Sequence, residues 1–123
     1  MAVIVIVEDD VTVGGAYASV LRDRGHNVTL CADVTEADAV VANEIVDLVL
    51  LDLWLPDIGG LDYLKTLAAR KRPPKIVVVS GGGHGRSLES AFTIAELRGA
   101  ITTLTKPVTD DELAAAVETA LAD

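Results

Sequence analysis

Aromatic residues are nearly missing from this chain, with one Trp, two Tyr and one Phe among 123 residues. Its core must therefore be built from Val, Leu, Ile and Ala. Cysteine is scarcer still: Cys31 stands alone, which excludes an internal disulfide, and its place in the apolar stretch NVTLC reads as a buried thiol. Basic residues are few, 10 Lys and Arg against 19 Asp and Glu, for a net charge of −9. That balance argues against direct binding of nucleic acid, which needs clustered cations, and against anionic membrane surfaces. It suits cations and basic partner surfaces. No apolar run reaches the length of a membrane span, no basic region precedes the first apolar run, and no cleavage site follows it. The expectation is a cytoplasmic protein, one domain over residues 1–123, large enough to fold without staples.

What is present is aliphatic, 50% of the residues being hydrophobic. Short, nearly continuous β-branched runs predict strands at Val3–Val7, Val28–Cys31, Leu48–Leu51, Ile76–Val79 and Ala100–Leu104. Continuous apolar runs imply burial on both faces, as in parallel sheets. Helix signals lie between them. Val11–Arg24 stops before Gly25 and carries Gly14 and Gly15 at some cost; Val34–Asn43 follows Asp33, with Glu36 as a capping-box variant. Leu61–Arg70 places Leu61, Leu64 and Ala68 on one stripe and ends before Pro73 and Pro74; Leu88–Arg98 stops at Gly99. A last helix starts at Thr109, with Glu112 three residues on and Leu113, Val117 and Leu121 as its buried face. Regular βα alternation without linker or repeat predicts an α/β fold with a doubly wound parallel sheet and right-handed crossovers.

Four of these runs end on chemistry. Val3–Val7 stops at Glu8, Asp9 and Asp10, Leu48–Leu51 at Asp52, and Ile76–Val79 at Ser80; Ala100–Thr105 stops at Lys106 and Pro107. In a parallel sheet those ends share the edge where ligands bind. Clustered carboxylates repel unless a cation intervenes, and a small set of hard oxygen ligands suits Mg²⁺. Asp52 is the candidate nucleophile, since carboxylates form aspartyl phosphates. Lys106 would supply positive charge and Ser80 a hydroxyl donor. Each residue alone has a plainer reading, as a cap, a surface lysine or a loop hydroxyl. The glycines after Ser80 suggest a mobile loop with free backbone N–H groups for a phosphoryl donor, but they lack GxGxxG spacing and a Walker lysine. His84 reads as a solvated loop histidine, His26 sits in a polar turn with no chemical part expected of it, and Tyr17 and Phe92 read as helix residues packing on the sheet.

The segments VIVEDD, LVLLDLWLPDIGG, VVVSGG and LTKP, in that order, resemble the receiver domain of two-component response regulators over essentially the full length. The resemblance implies a flavodoxin-like (βα)5 fold with strand order 2-1-3-4-5. It implies that Asp52 accepts phosphate from a sensor histidine kinase or a histidine phosphotransfer protein. Glu8 and Asp9 would form the acidic pair, Asp9 binding Mg²⁺ directly alongside Asp52 and the backbone carbonyl of Trp54. Ser80 and Lys106 would bond the phosphoryl group, and the Lys106–Pro107 peptide is often cis in this family. The surface of the fourth helix, fifth strand and fifth helix would meet an unknown output protein, the chain being a monomer or weak dimer with no output domain of its own. It would act as a signalling switch, catalysing only its own phosphorylation and dephosphorylation.

Some positions depart from that pattern. Receivers commonly carry an aromatic switch residue three positions before the lysine, where this chain has Thr103. Gly81 follows Ser80 where Ala is common, and Gly59 replaces a frequent acid before Gly60. Two rivals stay open: a binding module that phosphate does not switch, and a phosphohydrolase. The second usually wants an acid two residues after the nucleophile, where Trp54 stands.

Overall fold

The computed structural model describes residues 1–81 and 87–123. Of the expected glycine loop Gly81–Gly85, all but Gly81 lies outside the described residues, His84 included. Five strands, β1 (Val3–Val7), β2 (Asn27–Cys31), β3 (Leu48–Leu51), β4 (Lys75–Ser80) and β5 (Thr102–Thr105), alternate with five helices, α1 (Val11–Asp23), α2 (Val34–Asn43), α3 (Gly60–Ala68), α4 (Leu88–Leu97) and α5 (Asp110–Ala122). All strands pair in parallel in the order β2-β1-β3-β4-β5. In register, Val5 faces Thr29 and Val49, and Val78 faces Thr103.

The alternation of side chains along a strand divides the core in two. Val5, Val7, Val49, Leu51, Ile76 and Val78 pack with α2, α3 and α4 through residues such as Ala37, Leu64 and Ala91. Ile4, Ile6, Leu48, Leu50, Val77 and Val79 pack with α1 and α5 through Leu21, Leu113 and Val117. Both faces of the central strands are thus dry, which is why their sequences run hydrophobic without alternation. Fully burying one such aliphatic side chain contributes roughly 1.5–3 kcal/mol. The sheet therefore dominates the core that so few aromatics leave to be built.

Caps fix the helix ends. The Thr109–Glu112 capping box is complete, each side chain accepting from the other's backbone N–H. In α2, Asp33 accepts from Glu36 N, but the Glu36 carboxylate accepts from Ala32 N instead of Asp33 N. Gly25 and Gly99 take positive φ (89° and 114°) and end α1 and α4, a conformation that glycine alone adopts freely.

Several details differ from the sequence expectation. The fifth strand starts at Thr102 instead of Ala100, because Ala100 N donates to Ala95 O and belongs to the exit of α4. The buried face of α3 is Tyr63, Leu64 and Leu67, while Leu61 is half-buried and Ala68 exposed. The cause is at Gly60, whose N–H donates to Leu53 O, 2.9 Å away. A Cβ there would lie 2.3 Å from Asp52 O, so the helix starts pressed against the end of β3 and its rotation is fixed. On α5, Ala114 and Ala120 join Leu113 and Val117 as the buried face, leaving Leu121 half-buried. His26, of which no chemistry was expected, has a structural part. Its side chain is only 8% exposed, Nδ1 accepts from Ala2 N at 3.2 Å, and Nε2 lies 3.1 Å from Glu118 Oε1, tying the start of β1 to α5.

Candidate functional site

The carboxyl ends of β1, β3, β4 and β5 converge as the sequence anticipated. Glu8 and Asp52 follow their strands directly and are 3% and 6% exposed, while Ser80 ends β4 fully buried. Asp9 is exposed at the rim. One oxygen from each of Glu8, Asp9 and Asp52 lies within 4.8 Å of the others. Asp10, the third acid of that run, turns away: its carboxylate accepts from Thr12 N and Val13 N and caps α1.

The Asp52 carboxylate is surrounded by donors. Oδ1 accepts from Trp54 N at 3.1 Å and from Ser80 Oγ at 3.3 Å, and Oδ2 accepts from Lys106 Nζ at 3.0 Å. Lys106 Nζ also donates to Glu8 Oε1, and Glu8 Oε2 accepts from Asp10 N at 3.1 Å. One ammonium therefore lies between two buried carboxylates. The Lys106–Pro107 peptide that follows is cis.

The electrostatics follow from that geometry. Burial pushes the Glu8 carboxyl above the usual glutamate range and the Asp52 charge adds to it; the bonds from Lys106 and Asp10 only partly offset them. Burial alone would pull the Lys106 ammonium down, but its bonds to Glu8 and Asp52 outweigh burial and its pKa is raised. Tyr17, buried on α1, is pushed up by burial and by the Glu8 and Asp52 charges against the opposing effect of Lys106, so its phenol stays protonated.

Beside the acids opens a cavity of about 490 Å³ lined by Asp9, Trp54, Pro56, Asp62 and Arg98. Trp54 is half-buried there, its indole Nε1 donating to Gly81 O at 2.6 Å. Arg98 donates to Leu61 O at 2.9 Å and lies 3.7 Å from Asp62. Neither Arg98 nor Asp57 was legible as part of the site's support. Asp57, five residues after Asp52, accepts from Val34 N, Thr35 N and Thr35 Oγ1 and so ties the loop after β3 to the start of α2. Backbone bonds, the one from Ile58 first, hold its carboxyl down at about 2. The sequence LPD marks a turn there, but nothing in it names α2 as the partner.

Comparison with known proteins supports the same conclusion. The response regulator receiver domain family matches residues 4–118. The nitrogen assimilation regulatory protein NtrX of Azorhizobium caulinodans is 35% identical over 119 residues, covering 96% of this chain and 26% of that protein. The chain thus spans about a quarter of the length of that curated relative. The solved receiver domain of NtrX from Brucella abortus superposes with a TM-score of 0.88 at 30% identity, covering 97% of this chain and 98% of that one. A CheY-like receiver domain from Methanospirillum hungatei JF-1 gives a TM-score of 0.89 at 28% identity, covering 99% and 94%. With the fold, the strand order and the sequence match in agreement, this chain belongs to the response regulator receiver domain family, whose function is to accept a phosphoryl group in two-component signalling.

Proposed function

We propose that Asp52 is the phosphoryl acceptor and that residues 1–123 act as one receiver domain, a signalling switch and not an enzyme with an external product. The observation that carries this reading is the Asp52 carboxylate, buried at the end of β3 with Ser80, Trp54 N and Lys106 all bonded to it. A carboxylate oxygen of Asp52 attacks phosphorus, an O–P bond forms, and the P–N bond to the donor histidine breaks as neutral imidazole leaves with a proton. Lys106 and Ser80 exchange the carboxylate oxygens for phosphoryl oxygens, keeping their charge and hydroxyl where negative charge now sits.

The donor set of Glu8, Asp9 and Asp52, hard oxygens close together, fits Mg²⁺, with the Trp54 carbonyl as a further ligand. When bound, Mg²⁺ would offset phosphoryl charge during transfer. Asp9, the exposed member, would meet it from the solvent side, while Glu8 stays bonded to Lys106.

The phosphodonor on this reading is a sensor histidine kinase or a histidine phosphotransfer protein, and the output protein docks on α4, β5 and α5. A cytoplasmic setting fits these partners. Among the described residues no helix is long and apolar enough to cross a membrane. Thr103 on β5 carries no ring to rotate, so we assign the response to movement of Ser80, Lys106 and the start of α4. Trp54, with no titratable oxygen, stands where a phosphohydrolase would carry its general acid, which argues against turnover of phosphate esters.

The test is a titration with Mg²⁺ and then beryllofluoride, a phosphoryl mimic, following the fluorescence of Trp54. The expected result is a saturable, Mg²⁺-dependent change that vanishes in Asp52→Ala, with acetyl phosphate adding one acid-stable, base-labile phosphoryl group to wild type alone. Equal labelling of Asp52→Ala would refute the assignment. Labelling of wild type with no change in partner affinity would favour the unswitched binding module.

A further inference from the structure

The opposite edge of the sheet carries a feature that phosphoryl transfer does not use. Four of the ten Lys and Arg residues of a chain with net charge −9 fall within the segment RKRPPK, residues 70–75. This segment joins α3 to β4 and, with the turn from α2 to β3, encloses a cavity of about 860 Å³. The groove precedes β3, whereas Asp52 follows it, so the two sites are separated by the length of a four-residue strand, about 13 Å.

The cations there are not used up by the fold. Arg70 is anchored to the wall by a bond from Nη2 to Val41 O, and Lys75 Nζ donates to Asp123 O. Lys71 and Arg72 are exposed, and among the described residues neither makes an ion pair or a side-chain hydrogen bond. Glu44 and Asp47 line the same groove without pairing with them. Between the charges lie apolar groups: Ile45 is 72% exposed, and Pro73 is exposed beside it. An isoleucine on that scale at the rim of a groove, flanked by unpaired cations, is the pattern of a contact surface with an apolar centre and a charged border.

We infer that this groove is a second docking surface, independent of phosphorylation, for an acidic peptide segment of a partner protein bearing aliphatic side chains. Charge complementarity selects the occupant. A nucleic acid presents phosphates at fixed short intervals and would meet Glu44 and Asp47 as well as the cations, with nothing to place on Ile45. A second copy of this chain brings another charge of −9, and seating its acidic surface in a basic groove leaves its own groove open, a head-to-tail contact that does not close. A peptide with spaced carboxylates can meet Lys71 and Arg72, avoid the two acids and bury a leucine against Ile45 and Pro73.

The test uses the full chain and a fluorescein-labelled peptide of Glu-Glu-Leu repeats, read by anisotropy at low ionic strength. Saturable binding is expected, weakened about tenfold or more by the double substitution Lys71→Glu and Arg72→Glu. Ile45→Ser should weaken it too, and a glutamate-only peptide should bind less well than the leucine-containing one. Asp52→Ala should leave it unchanged, which separates failure here from failure of the acceptor assignment. The substituted side chains are exposed, and thermal melts confirm that each variant is folded; Lys71→Ser with Arg72→Ser serves if the charge reversal is not. Unchanged affinity in the charge-reversed variant would overturn the inference. So would equally tight binding of oligothymidylate, or sedimentation showing self-association that the peptide displaces, which would seat a second copy there.

Discussion

Replacing Lys106 by Met removes one ammonium and keeps most of the alkyl stem, so it isolates the charge. At 3.0 Å and an effective dielectric of about 20, the attraction to Asp52 alone is roughly 5 kcal/mol before the cost of desolvating the ammonium. Removing one partner of a buried pair typically costs about 3–5 kcal/mol, and the Lys106 side chain is 25% exposed, which places this case at the lower end. Protonation of Glu8 offers an escape that bounds its share of the loss. Neutralising an ordinary glutamate at pH 7 costs about 3.5 kcal/mol and falls by about 1.4 kcal/mol for each pH unit. Glu8 already lies above the ordinary value, and without the ammonium it rises further. Its folded-state pKa then exceeds the unfolded one, so the folded state binds more protons, and stability increases as pH falls through the folded pKa. Urea unfolding in EDTA should therefore show a loss of about 3 kcal/mol at pH 7, of which the share of Glu8, but not that of Asp52, shrinks as the pH is lowered to 5. Millimolar Mg²⁺ should recover part of the pH 7 loss. A loss equal at both pH values and indifferent to Mg²⁺ would show that Lys106 acts through packing, and the electrostatic account of the site would fail.

Other consequences are simpler to measure. Gly60→Ala forces a Cβ to 2.3 Å from Asp52 O, so urea melts should show a loss of about 2–3 kcal/mol together with slower phosphorylation; a loss near zero would mean that α3 can lift away at no cost. Asp57, whose folded pKa of about 2 is depressed below the unfolded value of about 4, should stabilise the fold fully above that unfolded value and lose the contribution as pH falls towards 2. The difference in melting temperature between wild type and Asp57→Asn should accordingly be larger at pH 6 than at pH 3, and a difference independent of pH would refute it. Cys31, 2% exposed with its thiol pushed up to about 11 by burial, should not react with a disulfide reagent at pH 8 until the protein unfolds; prompt labelling of the native state would contradict its burial.

The strand ends were legible because each is a change of chemistry at a fixed point: the dry run Leu48–Leu51 gives way to Asp52, a charged residue that stays buried and so must find partners, as it does in Ser80 and Lys106. The Thr109–Glu112 capping box was legible because both partners lie within one turn. What escaped was contact between residues far apart in the chain. Asp57 meets Val34 across 23 positions, and His26 meets Glu118 across 92. No local pattern encodes either pair, since each depends on how crossovers stack against the sheet. The stripe of α3 was misread for a related reason. Periodicity names a set of equivalent faces, and the contact of Gly60 with the end of β3 chooses among them.

The same contrast holds inside the site, where position along the chain gave the residue types but not their partners. Glu8, Asp9 and Asp10 are consecutive, yet Glu8 turns inward to Lys106, Asp9 stays at the rim and Asp10 caps α1. Once Asp10 is committed to the helix, three carboxylates face one ammonium, an excess of two negative charges in a partly buried space. The raised pKa of Glu8 is one response to that excess. On the proposed reading a divalent cation is the other, since its charge matches the excess and its oxygen preference matches the donors. A phosphoryl group on Asp52 would replace one carboxylate charge by about two, bringing back about half of the negative charge that the cation offsets. The bonds Lys106 and Ser80 now make to Asp52 are then the ones that must be exchanged, so the fold already holds in place the two side chains through which phosphorylation could be felt at β4 and β5.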